Sequence, residues 1–229
     1  MTFSPSFGRI FSPSFKPNSL AEAEAGDTWW DLNGTLASCI AAYQPKGAAN
    51  YEASQIDLTG HGHVLTPYNT PAWNATQGWY SNAFTTDIQP TQDTAIIVRY
   101  SNRSTSISAS CFGIENDSVP RLRVSYYSAD TFYMYWNDKI TASTIASGTG
   151  GEGVMAFCGQ PTSGFKLYWN GTKIKDYGSG VMPDTGKYIN LRCYKTSNIA
   201  THNFLAVAIY SLSPSDEQIA LLSTAMAAL

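Results

Sequence analysis

Asn203-Phe-Leu-Ala-Val-Ala-Ile-Tyr-Ser211, followed at once by Leu212-Ser-Pro-Ser-Asp-Glu-Gln-Ile219, puts an apolar strand directly before a helix start. Ser213 is placed to cap the first free backbone N–H groups, and Pro214 gives up no hydrogen bond at the first helical position. Asp216 and Glu217 complement the positive end of the helix dipole. The pattern predicts a strand over 203–211 and a helix from about Pro214 to Ala227, with Ile219, Leu222 and Met226 spaced to share one face.

Upstream of this ending the chain reads as β from Trp29 onward. Thr94-Ala-Ile-Ile-Val-Arg-Tyr100 has the continuous apolar character of a buried strand, and Arg121-Leu-Arg-Val-Ser-Tyr126 alternates as a strand with one wet face should. Stretches 131–136, 154–158, 165–169 and 187–193 continue the series. Asn137-Asp138 and Asn170-Gly171 are hairpin-turn sequences, the second the stronger because Asn-Gly takes positive φ readily. Many short strands, frequent turns and one helix at the end predict an all-β, two-sheet antiparallel sandwich. Ile96, Val98, Leu122, Val124, Leu167, Leu191, Val207 and Ile209 are its expected core.

The chain has 229 residues, enough for one well-buried domain of this kind. Charged residues are 14% of it and the formal net charge is -3, which gives no electrostatic footprint for nucleic acid or an anionic membrane. No long uncharged apolar run suggests a membrane-spanning helix. The four cysteines, Cys39, Cys111, Cys158 and Cys193, are scattered without a CxxC pair and are expected to be free, buried thiols. Five Asn-X-Ser/Thr sequences, at Asn33, Asn74, Asn102, Asn116 and Asn170, read as turn chemistry. The opening Met1-Thr-Phe-Ser-Pro-Ser-Phe7 lacks the basic then apolar pattern of a secretory signal, so the expectation is synthesis in the cytoplasm.

Residues 1–27 differ in kind from residues 28–229. Phe11-Ser-Pro-Ser-Phe15 repeats Phe3-Ser-Pro-Ser-Phe7, and the prolines favour an extended or polyproline-like arm. A loose tail is the plain alternative. Phe3, Phe7, Phe11 and Phe15 are nonetheless costly to leave in water, since burying each ring is worth roughly 1.5–3 kcal/mol. An arm that docks on a partner or a neighbouring copy is therefore expected, with those four rings as its contacts.

Three motifs in order carry a family resemblance over roughly residues 36–225. They are the strand-plus-helix ending, the hairpin Phe165-Lys-Leu-Tyr-Trp-Asn-Gly-Thr-Lys-Ile174, and the opening Ile40-Ala-Ala-Tyr-Gln-Pro-Lys-Gly47 with Pro71-Ala-Trp73 and Gly78-Trp79 behind it. The chain resembles laminin-G-like, or concanavalin A-like, jelly-roll domains of the kind found in bacteriophage virion proteins. The resemblance implies a jelly-roll sandwich with a C-terminal helix, and a family that more often binds sugars or surfaces than cleaves them.

Candidate chemistry was sought on that basis. Glycosidases of this fold need two carboxylates flanking the scissile bond. The laminarinase-like branch carries them as Glu-x-Asp-x-x-Glu, and no such run occurs; Glu115-Asn-Asp117 is the nearest approach. The other acids, among them Asp57 and Asp87, stand singly beside turn residues and read as solvated loop acids. His61-Gly-His63 could present a metal pair, but no third ligand is identifiable and surface histidines are the plainer reading. No Gly-x-Ser-x-Gly elbow supports a hydrolytic triad, and no acidic cluster has the spacing of a calcium cage. No catalytic residue, metal or cofactor is therefore expected.

Aromatic residues are the remaining resource, at 13% of the chain. Rings stack on the apolar faces of sugars, although most are expected in the core. Tyr126 and Trp136 are the nominees for an exposed sugar-binding face; a one-residue register slip would invert both. The leading expectation is a non-enzymatic virion surface protein, either capsid decoration or a fibre or tail component. The arm would hold it to a major capsid or tail protein, in multiple copies, with a head open to weak adhesion to surface glycans. A glucanase or lyase of the same fold is the alternative, and a cellular lectin module a third.

Overall fold

A computed structural model describes residues 28–32, 36–67, 72–80, 84–101, 109–115, 120–128, 131–136, 139–144, 152–181, 186–191 and 203–229. The expected arm, with Phe3, Phe7, Phe11 and Phe15, lies outside the described residues, as do Asn137 and Asp138. In chain order the elements are β1 (Cys39–Tyr43), a 3-10 turn (Ala53–Gln55), β2 (Leu65–Pro67), β3 (Ala72–Asn74), β4 (Gly78–Tyr80), β5 (Phe84–Thr86) and β6 (Ala95–Ser101). They continue with β7 (Ala109–Glu115), β8 (Pro120–Ser128), β9 (Thr131–Trp136), β10 (Lys139–Thr144), β11 (Gly153–Gly159) and β12 (Phe165–Trp169). β13 (Thr172–Tyr177), β14 (Asn190–Leu191), β15 (Asn203–Tyr210) and α1 (Asp216–Ala228) complete the chain.

The strands form two antiparallel sheets of a jelly-roll sandwich. One runs β13-β12-β11-β6-β15-β4-β3, with β1 also on β15; the other runs β10-β9-β8-β7-β14-β5-β2. Between them Ile96, Val98, Tyr100, Phe112, Leu122, Val124, Phe157, Leu167, Val207 and Ile209 close a single core. All eight residues expected in that core are buried.

The central strands of the first sheet, β6, β11 and β15, are covered on both faces, which explains why they are almost wholly buried and mostly apolar. Its outer face carries small residues, Ala95, Ala156, Ala206 and Ala208, and these leave room for Ile219, Leu222 and Met226 of α1. The helix is tied at both ends. Asp216 accepts hydrogen bonds from Lys166 (2.9 Å), Tyr168 (2.7 Å) and Lys173 (3.2 Å). These donors hold its carboxyl well below the usual carboxylate range. At the other end buried Arg99 donates to the Met226 carbonyl (2.9 Å), which also accepts from Leu229 N (3.3 Å), and pairs with Glu152.

The helix begins later than its sequence suggests. Ser215, not Ser213, is the cap: its hydroxyl accepts from Gln218 N while the Gln218 side chain accepts from Ser215 N, a reciprocal capping box. Ser213 instead donates toward the carbonyls of Asp93 and Gly159, fastening the linker to the sheet. Asn170 and Gly171 both have positive φ, 47° and 78°, as the predicted two-residue hairpin requires.

Candidate functional site

At one end of the sandwich the chain passes from β1 in the first sheet to β2 at the edge of the second. The connection, Glu52-Ala-Ser-Gln-Ile-Asp-Leu-Thr-Gly-His-Gly-His-Val64, is held in shape by Asp57. Its Oδ1 accepts from Ala42 N (3.1 Å), Thr59 N (3.0 Å) and Thr59 Oγ1 (2.8 Å). Its Oδ2 accepts from Gly62 N (3.1 Å) and His63 N (3.2 Å). Gly60 and Gly62, at φ +80° and +82°, supply the left-handed turns that bring those amides round. Burial pushes the Asp57 carboxyl up, but the Thr59 hydroxyl and the amides of Ala42, Thr59 and His63 outweigh it, so the pKa is lowered.

Asp57 is 8% exposed, so it is not the solvated loop acid that its turn-rich surroundings suggest. The signal lay partly in the sequence: an Asp three residues before a Gly-His-Gly run is turn chemistry. What the sequence hides is that one of its donors is Ala42 in β1.

The two histidines go to different partners rather than to a shared metal. His61 Nδ1 lies 3.1 Å from the Ile40 carbonyl. His63 Nδ1 lies 2.9 Å from Asp87 Oδ1. The second contact follows from register: Leu65 pairs with Thr86, so His63 and Asp87 meet just beyond the end of the β2–β5 ladder. An ionised carboxylate only accepts, so Nδ1 carries a proton, and Nε2 is the acceptor of the imidazole in its neutral form. The His63 main chain is fixed as well, its N–H on Asp57 and its carbonyl accepting from Tyr43 Oη (3.3 Å).

This braced loop borders a pocket of about 370 Å³, within the size range of small-molecule sites. Ile56 and Val64, 59% and 60% exposed, and the buried Leu65 give it apolar lining. Glu52, Gln55 and His63 give it polar lining. Among the described residues no lysine or arginine lines it, and no group of three His, Cys, Asp or Glu is placed to hold a metal ion.

The aromatic nominees are on neighbouring strands but not side by side. Tyr126 of β8 pairs with Phe132 of β9, while Trp136 of β9 pairs with Leu122. Their backbones are thus four residues apart along the ladder, about 13 Å at 3.3 Å per residue. The side chains of Tyr126 and Trp136 lie outside the described residues. Of the other aromatic residues on these strands, Tyr135 is half-buried and carries Arg123 over its ring at 4.0 Å. Tyr168 and Trp169 are buried.

No protein-family model and no curated protein matches the chain. Solved structures similar in fold include the binding domain of botulinum neurotoxin DC in complex with SialylT, at TM-score 0.64 and 11% identity, covering 82% of this chain and 51% of that one. The same neurotoxin domain in complex with rat synaptotagmin II has TM-score 0.63 and 10% identity, with 82% and 52% covered. A mutant of Trypanosoma rangeli sialidase displaying trans-sialidase activity has TM-score 0.60 and 10% identity, with 83% and 33% covered. The chain therefore spans a third to a half of the length of these proteins. At such identity the likeness defines the fold alone, a two-sheet β-sandwich, and that fold serves binding domains and an enzyme alike.

Proposed function

We propose that this chain is a non-enzymatic virion surface protein whose β-sandwich head adheres to glycans and whose residues 1–27 anchor it to a capsid or tail protein. The observation that carries the binding half is the braced pocket at the sandwich end. Its buried acid has all its acceptor positions filled by loop and strand donors, and the resulting rigidity lowers the entropic cost of ordering a loop around a ligand. An ionised, saturated Asp57 is a poor proton donor, which favours binding over glycoside cleavage at this place. Two of the similar solved structures are neurotoxin binding domains, one of them with SialylT, in line with a head that recognises rather than reacts.

The virion half rests on the family resemblance and on the arm, with its four regularly spaced phenylalanines and paired Phe-Ser-Pro-Ser-Phe repeats. Avidity from many copies on one particle would make weak single-site adhesion effective.

Mass spectrometry of particles purified from the source should find the full-length chain at a fixed stoichiometry to the major capsid or tail protein. Its absence from such particles would overturn the virion role. A screen of the full chain for reducing ends released from mixed polysaccharides should show none; turnover abolished by changing one acid would replace this reading with a carbohydrate-active enzyme.

A further inference from the structure

The pocket at Glu52–Leu65 has a charge character that narrows its ligand. Glu52 and Asp57 line it and Asp87 lies against His63, while among the described residues no lysine or arginine lines the space. Among the described residues His63 is the lining group that could become cationic, and its Nδ1 faces Asp87. A ligand carboxylate entering this space would lose hydration, meet no lysine or arginine among the described residues, and share the space with Glu52. Hydroxyl groups have no such problem. Glu52 can accept from them, Gln55 can accept or donate, and Nε2 of His63 accepts from one when the ring is neutral. Ile56 and Val64, exposed and facing the same space, offer aliphatic surface for the C–H face of a ring.

We infer that this pocket binds an uncharged pyranose, a hexose or N-acetylhexosamine at a glycan terminus, and rejects sialylated and other carboxylated termini. The inference rests on the glycan-adhesion reading and adds the sugar class and the residues. Ile56 and Val64 bracket the ring. Glu52, Gln55 and His63 take the hydroxyl groups, and Asp87 is a positioning residue that fixes the imidazole.

The test uses the full chain against an immobilised panel of glycans ending in neutral hexoses or N-acetylhexosamines, each paired with its sialylated counterpart. At least one neutral glycan should bind, with its sialylated form at least tenfold weaker. Val64→Asp, at an exposed position that leaves the core untouched, should cut neutral binding at least tenfold with an unchanged melting curve. Glu52→Lys should narrow the gap between the neutral and sialylated forms. Asp87→Asn should change the tautomer of His63, read from its ring ¹⁵N shifts, and weaken binding in parallel.

Equal or stronger binding of the sialylated partner, or neutral binding untouched by Val64→Asp, overturns the inference while leaving glycan adhesion standing. A panel with no binding of either kind overturns both.

Discussion

Replacing Asp57 by asparagine keeps the shape of the side chain and removes its charge. Of the five hydrogen bonds it accepts, the best arrangement of the amide keeps the oxygen toward Ala42 and Thr59 and turns the NH2 group toward the N–H groups of Gly62 and His63. Two bonds are then lost. The remaining three fall from the charge-assisted range of about 1.5–3 kcal/mol to the neutral range of about 0.5–1.5. Part of this is offset because a buried charge no longer has to be desolvated, and Gly62 and His63 can recover water. The net expectation is a loss of about 2–3 kcal/mol, or roughly 5–10 °C in melting temperature for a domain of this size.

Urea unfolding followed by tryptophan fluorescence should show a lower midpoint with an unchanged slope. The pH dependence has a definite sign. Because the folded pKa of Asp57 lies below its ordinary value of 3.8, its stabilisation is present above about pH 4 and disappears as pH falls through the folded value. The gap between wild type and Asp57→Asn should therefore close in acid. A loss under about 0.5 kcal/mol, or a gap that widens on acidification, would refute the bracing role.

Gly171→Ala should cost at least about 1–2 kcal/mol, since φ is +78° and the new Cβ would sit 3.0 Å from Ala220 Cα in the helix; an unchanged melting temperature would contradict the tight turn-to-helix contact. Cys39 and Cys158 should resist alkylation in the native protein at pH 8 and react on unfolding, because burial pushes the Cys39 thiol up to about 12 and raises that of Cys158 as well. Mass spectrometry after an iodoacetamide pulse reads this, and rapid native labelling of either would be the contrary result. Deleting residues 2–20 should leave the melting temperature of the monomer unchanged and abolish incorporation into particles; full incorporation of the truncated chain would sink the anchoring role.

The strands most legible in the sequence are those whose environment is uniform. β6 and β15 are covered on both faces, so Ala95–Val98 and Phe204–Tyr210 read as continuous apolar runs. The helix face was legible from spacing alone, but its start was not. Ser213 and Ser215 are equally good caps by type, and only the contacts of Ser213 with Asp93 and Gly159 assign them.

The candidate site was nearly invisible for a related reason. β2 and β5 are three residues each, too short to show a period, and the His63–Asp87 contact joins residues 24 apart through their register. Asp57 looks like any loop acid until Ala42 is seen to point its N–H at it. Single-residue reasoning sees the turn but not what the turn is fastened to.

The sugar site proposed in the loop braced by Asp57 can be read residue by residue from amide chemical shifts of the ¹⁵N-labelled full chain, titrated with the neutral glycan that binds best. Saturable changes should centre on Gln55, Ile56, Gly60, His63 and Val64, with the amides of α1 unmoved. Saturable changes confined to another face of the sandwich, or none at millimolar sugar, would contradict it.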